Sequence, residues 1–141
     1  MTTAVTDASA QHNGQSIIFG DNWITIEQIT AIALKHQPVA LSDSASFGRK
    51  IDAGVAFLDK LLEEEGVIYG VTTGYGDSCT VTVPLSQVHE LPIHLTRFHG
   101  CGLGDYFSAE QGRAILATRL CSLSQGFSGV SWPLLKQLAA Y

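Results

Sequence analysis

Charge is scarce in this chain of 141 residues: Asp, Glu, Lys and Arg make up 15% of it, against roughly 25% in an average soluble protein. Only 8 residues are Lys or Arg, set against 13 Asp or Glu, and the bases form no cluster. That argues against nucleic-acid binding, where stripes of Lys and Arg have to meet phosphates. No apolar run approaches the roughly 20 residues a membrane-spanning helix needs. The three cysteines, Cys79, Cys101 and Cys121, are odd in number and widely spaced, without a C-x-x-C pair, so they imply neither a disulfide framework nor a zinc site. Residues 1–14 lack the basic start and apolar centre of a secretory signal; they are rich in Thr, Ala and Ser and are expected to form a disordered tail. A cytoplasmic protein is the default expectation.

What is present is apolar. Hydrophobic residues make up 45% of the chain, enough for one domain with a real core but not for two. So little charge beside so much apolar surface suggests a piece of a larger chain or a subunit that assembles; a monomer with a greasy surface is the alternative. Local signals give a mostly helical reading. Ser16-Ile17-Ile18-Phe19 is a short strand running into the turn Gly20-Asp21-Asn22. Thr25-Ile26-Glu27-Gln28 reads as a capping box opening a helix to about Lys35. Ser42-Asp43-Ser44 offers caps for a longer helix with the stripe Phe47, Ile51, Val55, Leu58 and Leu62. Its acidic end, Glu63-Glu64-Glu65, opposes the helix dipole and should fray. Ser86 can cap a third helix, kinked by Pro92 and reaching His99, and Ser108 a fourth, with apolar Ile115, Leu116, Leu120 and Leu123. Trp132-Pro133 opens a last helix with no stop signal before Tyr141, as expected of a cut chain.

Two glycine-rich segments carry the chemistry. In Tyr69-Gly70-Val71-Thr72-Thr73-Gly74-Tyr75-Gly76, dense glycine permits positive φ and close approach to a ligand, at an entropic cost. A lid closing over substrate tolerates that cost, and Tyr69 would be held at one end and mobile at the other. An ordinary turn with Tyr69 and Tyr75 packed as core aromatics fits the same residues. A dinucleotide fingerprint does not, since the third glycine is missing, and no Gly-Lys-Ser/Thr follows. In Arg97-Phe98-His99-Gly100-Cys101-Gly102-Leu103-Gly104, His99 could be a base, a hydrogen-bond partner or a ligand, or simply a surface histidine at a helix end. His89, His94 and His99 lie five apart, roughly 140° of helix rotation per step, so they share no face for a metal.

Both segments match known patterns. Ile68 to Gly76 resembles the YG-x-[NT]-TG-[FY]-G signature of the histidine, phenylalanine and tyrosine ammonia-lyases, and Leu95 to Gly104 resembles that family's selectivity segment. The likeness runs from about Ile17 to the end. It implies a mainly α chain, with residues 15–141 forming the N-terminal segment of a large helical-bundle catalytic domain. It also implies a homotetramer whose sites draw on several subunits, and a small aromatic amino acid as substrate.

By this resemblance Tyr69 is the catalytic base that takes the β-proton, and the electrophile is 4-methylidene-imidazol-5-one (MIO), made from an Ala-Ser-Gly tripeptide. No Ala-Ser-Gly occurs in these residues, so the functional protein is expected to be longer. A free phenol titrates near 10, so such a base needs positive charge or hydrogen-bond donors beside it. Phe98 and His99 would contact the substrate ring, and Gly76 would let the backbone approach it. Phe98 suits an apolar ring; His99 can bond a phenol hydroxyl or an imidazole nitrogen. A buried donor without a partner costs about 1–3 kcal/mol, which favours L-tyrosine over L-phenylalanine. Histidine as substrate, a 2,3-aminomutase and a non-catalytic remnant are the alternatives. Pro92 stands where relatives commonly carry a polar Gln-x-Asn, which leaves the shape of this pocket wall open.

Overall fold

The structure is a computed structural model, and it describes residues 14–34, 37–64 and 66–141. The expected N-terminal tail, apart from Gly14, lies outside the described residues. Strand β1 (Ile17–Phe19) is followed by α1 (Ile26–Ala33), β2 (Val39–Leu41) and α2 (Ala45–Glu63). Single 3-10 turns at Gly76–Thr80 and Leu85–Gln87 lead to α3 (Leu91–His99), α4 (Ala109–Leu123) and α5 (Trp132–Ala140). None of the described helices is long and apolar enough to cross a membrane.

The helix starts follow local chemistry. Thr25 Oγ1 accepts from the Gln28 N–H at 3.2 Å, and Gln28 Oε1 accepts from the Thr25 N–H at 2.9 Å, so two orphan donors are satisfied reciprocally. Ser108 and Gln111 repeat the device at α4, at 2.9 and 3.2 Å. Ser44 caps α2 through the Phe47 N–H. Its hydroxyl also donates to Asp21 Oδ2 at 2.6 Å, and Ser42 Oγ donates to the same oxygen. These bonds hold the Asp21 carboxyl below the usual carboxylate range, with the charge of Lys50 adding to them.

Strand β2 had no clear signal in the sequence. Its three residues pair in parallel with β1, in the register Ile17↔Val39 and Phe19↔Leu41, with α1 as the crossover. The core lies beneath this pair: Ile17, Phe19, Ile32, Phe47, Ile51, Ala117, Leu120, Leu123 and Leu135 are buried together. Each large apolar side chain so buried contributes about 1.5–3 kcal/mol. Trp132 closes one side with its ring edge-on to Phe47, centroids 5.2 Å apart. Arg113 Nε on α4 donates to the Ala33 carbonyl at 2.7 Å, satisfying an acceptor that the end of α1 leaves open.

Two expectations change. Pro92 does not kink a helix begun at Ser86; it sits in the first turn of α3, where a missing N–H costs nothing. Beyond α2, the Gly66 N–H bonds back to the Leu61 carbonyl at 2.8 Å. On α4 the inward face is Ala117, Leu120 and Leu123, while Ile115 and Leu116 are exposed.

Candidate functional site

The segment after α2 is held by two threonines. Thr72 Oγ1 donates to the Gly66 carbonyl at 2.9 Å and accepts from the Ile68 N–H at 2.8 Å. Thr73 Oγ1 accepts from the Gly70 N–H at 3.1 Å and donates to the Gly74 carbonyl at 3.0 Å. Both side chains are buried, and Thr73 pairs with Thr82 across an antiparallel bridge. The Gly74 N–H to the Val81 carbonyl and the Val83 N–H to the Thr72 carbonyl complete that pairing. The glycine entropy anticipated from the sequence is therefore met by local hydrogen bonds, and the backbone around Tyr69 is tied at both ends.

Tyr69 projects from this frame. The residue is 65% exposed, so the core-aromatic reading fails for it. The Gly76 N–H donates to its hydroxyl oxygen at 3.1 Å, and the Tyr75 ring meets its ring edge-on, centroids 6.4 Å apart at 87°. Gly70 and Gly76 stand at φ +71° and +58°, the left-handed region in which a side chain is strained. Gly76 thus serves the tyrosine through its N–H, a role the sequence did not indicate.

Phe98 and His99 occupy the last turn of α3, rings tilted at 50° with centroids 4.7 Å apart. Both are exposed. The structure joins Tyr69 with Gly76 and Phe98 with His99, but no hydrogen bond or ring contact links the two groups among the described residues. Helix α3 continues into a run in which Leu103, Tyr106 and Phe107 stand exposed. The groups the sequence reading missed are the Thr72 and Thr73 hydroxyls and the Thr82 bridge. The Thr-Thr-Gly string was visible, but the pairing depends on where residues 81–83 return.

The family model described as aromatic amino acid lyase matches residues 24–141. The chain belongs to this family. It is 38% identical over 122 residues to the histidine ammonia-lyase of Clostridium tetani, covering 84% of this chain and 23% of that protein. With the Bos taurus histidine ammonia-lyase the identity is 34% over 119 residues, covering 84% of this chain and 18% of the relative. The fold resembles tyrosine aminomutase from Streptomyces globisporus with a TM-score of 0.80 at 31% identity, over 90% of this chain and 24% of that one. Phenylalanine aminomutase of Pantoea agglomerans follows at 0.76 and 31%, over 88% of this chain and 24% of that one. The chain thus spans no more than 24% of the length of these relatives. The MIO electrophile implied by the resemblance has no Ala-Ser-Gly precursor here. The residues present cannot form it.

Proposed function

We propose that residues 15–141 are the N-terminal segment of an ammonia-lyase catalytic domain, and that Tyr69 is its base. The enzyme eliminates ammonia from an aromatic L-amino acid to give an arylacrylate, with the MIO electrophile supplied from outside these 141 residues. The observation that carries this reading is the Tyr69 hydroxyl: exposed, on an ordered frame, and receiving a backbone N–H from Gly76. A base for a weakly acidic β-proton has to be within reach of substrate and held in one orientation. The exposure of Tyr69 and the Gly76 N–H on its hydroxyl support that role.

Phe98 and His99 form the ring-selecting pair in this reading, and L-tyrosine is the substrate their chemistry favours. Phe98 packs an apolar face, and His99 bonds the phenol hydroxyl. They reach the base only when further chain or further subunits close the site, which agrees with a homotetramer. The apolar side chains left uncovered at Phe98, Leu103, Tyr106 and Phe107 support that assembly. L-histidine is a second reading with its own support. The curated relatives described above are histidine ammonia-lyases, and His99 can bond an imidazole nitrogen as readily as a phenol. The similarity to tyrosine and phenylalanine aminomutases keeps re-addition of ammonia in view as a third outcome.

The test is ultraviolet absorbance of the complete gene product incubated separately with L-tyrosine, L-phenylalanine and L-histidine. A growing coumarate band with tyrosine is the expected result. A urocanate band instead would transfer the substrate to histidine. A β-amino acid found by chromatography without an acrylate band would make the protein a mutase, and neither band nor β-amino acid with all three would refute this reading.

A further inference from the structure

The arrangement around Tyr69 depends on a neighbour that the base assignment does not mention. The Tyr75 ring stands edge-on to the Tyr69 ring at 6.4 Å. Its place exists because Gly70 has no side chain: a Cβ there would lie 2.9 Å from Tyr75 Cε1 and 3.3 Å from Cδ1. Tyr75 is itself fastened. The Gly74 N–H on one side bonds the Val81 carbonyl at 3.0 Å, and the Tyr75 carbonyl accepts from the Ser78 N–H at 3.1 Å. The next residue, Gly76, then delivers the N–H that meets the Tyr69 hydroxyl. The Tyr75 hydroxyl has no hydrogen-bond partner among the described residues, so the ring and not the phenol group makes the contact.

We propose that Tyr75 is a positioning residue: its ring edge, admitted by Gly70, fixes the Tyr69 ring so that the phenol oxygen stays on the Gly76 N–H. An exposed tyrosine without that flank would sample other rotamers, because surface side chains exchange wells freely. Edge-to-face pairs prefer this separation and angle, which gives the flank a direction as well as bulk. This inference rests on the reading of Tyr69 as the base.

Two measurements test it. In the complete gene product, Tyr75→Leu lowers kcat about tenfold to a hundredfold with little change in KM, the scale of a misplaced catalytic group. Tyr75→Phe keeps the ring edge and restores kcat. In the 15N-labelled chain, Tyr75→Leu accelerates exchange of the Gly76 amide, as does Tyr69→Phe, while the Gly74 amide on Val81 stays protected. Unchanged kcat in Tyr75→Leu would overturn the proposal, and so would a rise in KM alone, which would make Tyr75 a substrate contact. Loss of Gly74 protection together with Gly76 would overturn it too, by showing that Tyr75 holds the whole loop. A wild-type gene product without turnover refutes the lyase reading instead, and the positioning is then decided by the Gly76 amide alone.

Discussion

Replacing Gly54 by alanine sets two effects of similar size against each other. Gly54 lies inside α2, where alanine is favoured over glycine by about 1 kcal/mol. A Cβ at this position, however, would lie 2.4 Å from the Gly126 carbonyl oxygen and 3.8 Å from Gly129 Cα. The neighbours cannot retreat easily. Gly126 and Gly129 both hold positive φ, and a Cβ on either would itself run into α2, at 2.8 Å from Lys50 Cγ and 2.9 Å from Leu58 Cδ2. Overpacking costs about 1–3 kcal/mol, and a backbone oxygen about an ångström too close belongs at the upper end or beyond. The clash wins, by about 2 kcal/mol net, so the melting temperature should fall by roughly 5–10 °C for a chain of this length. Gly48 and Gly112 are the internal controls. Each is helical, Gly48 meets only Trp132 Cζ2 at 3.9 Å, and Gly112 meets nothing within 4 Å. Alanine at either should therefore stabilise by up to about 1 kcal/mol. Thermal melts followed by circular dichroism, with urea midpoints as a second measure, compare the three variants. A Gly54→Ala protein that melts higher, in step with the controls, would refute the claim that α2 and the 126–129 loop are in backbone contact.

Three further outcomes are expected. Tyr69→Phe in the complete gene product should cut turnover by about 10²–10⁴-fold with the fold intact, read by arylacrylate absorbance; near-normal turnover would remove Tyr69 as the base. The Asp21 carboxyl is held low in the folded chain by Ser42 and Ser44, so its contribution is present above the ordinary carboxylate value near 4 and is lost as pH falls through the folded one. Acid unfolding of Asp21→Asn should accordingly show a shallower pH dependence below about pH 4 than the parent, and identical slopes would contradict the assignment. Ser124 Oγ is buried with no hydrogen-bond partner among the described residues, so Ser124→Ala should be neutral or stabilise by up to about 1 kcal/mol in urea denaturation, whereas a clear loss would mean that the hydroxyl is satisfied in solution.

The parts of this protein legible in its sequence share one property: their partners are three or four residues away. The Thr25–Gln28 box, the Ser44 cap and the Ser108 cap depend only on a helical turn placing side chain and N–H together, so residue type and spacing suffice. The motifs that single out Tyr69, Phe98 and His99 as candidates were readable too, because motif resemblance needs no geometry. What the tertiary structure decided depends on where distant segments return. Val39–Leu41 becomes a strand only because Ile17–Phe19 lies beside it, and three residues carry too little periodicity to announce that. Pro92 starts a helix, where the same proline further along would have bent one. The near-contact of Gly54 with Gly126, the Thr73–Thr82 bridge and the Tyr75 edge on Tyr69 arise from chain crossings or from a turn that no helical or strand period describes. Sequence chose the chemical groups, and chain return decided which of them meet, because contact between segments depends on packing that spacing along the chain does not encode.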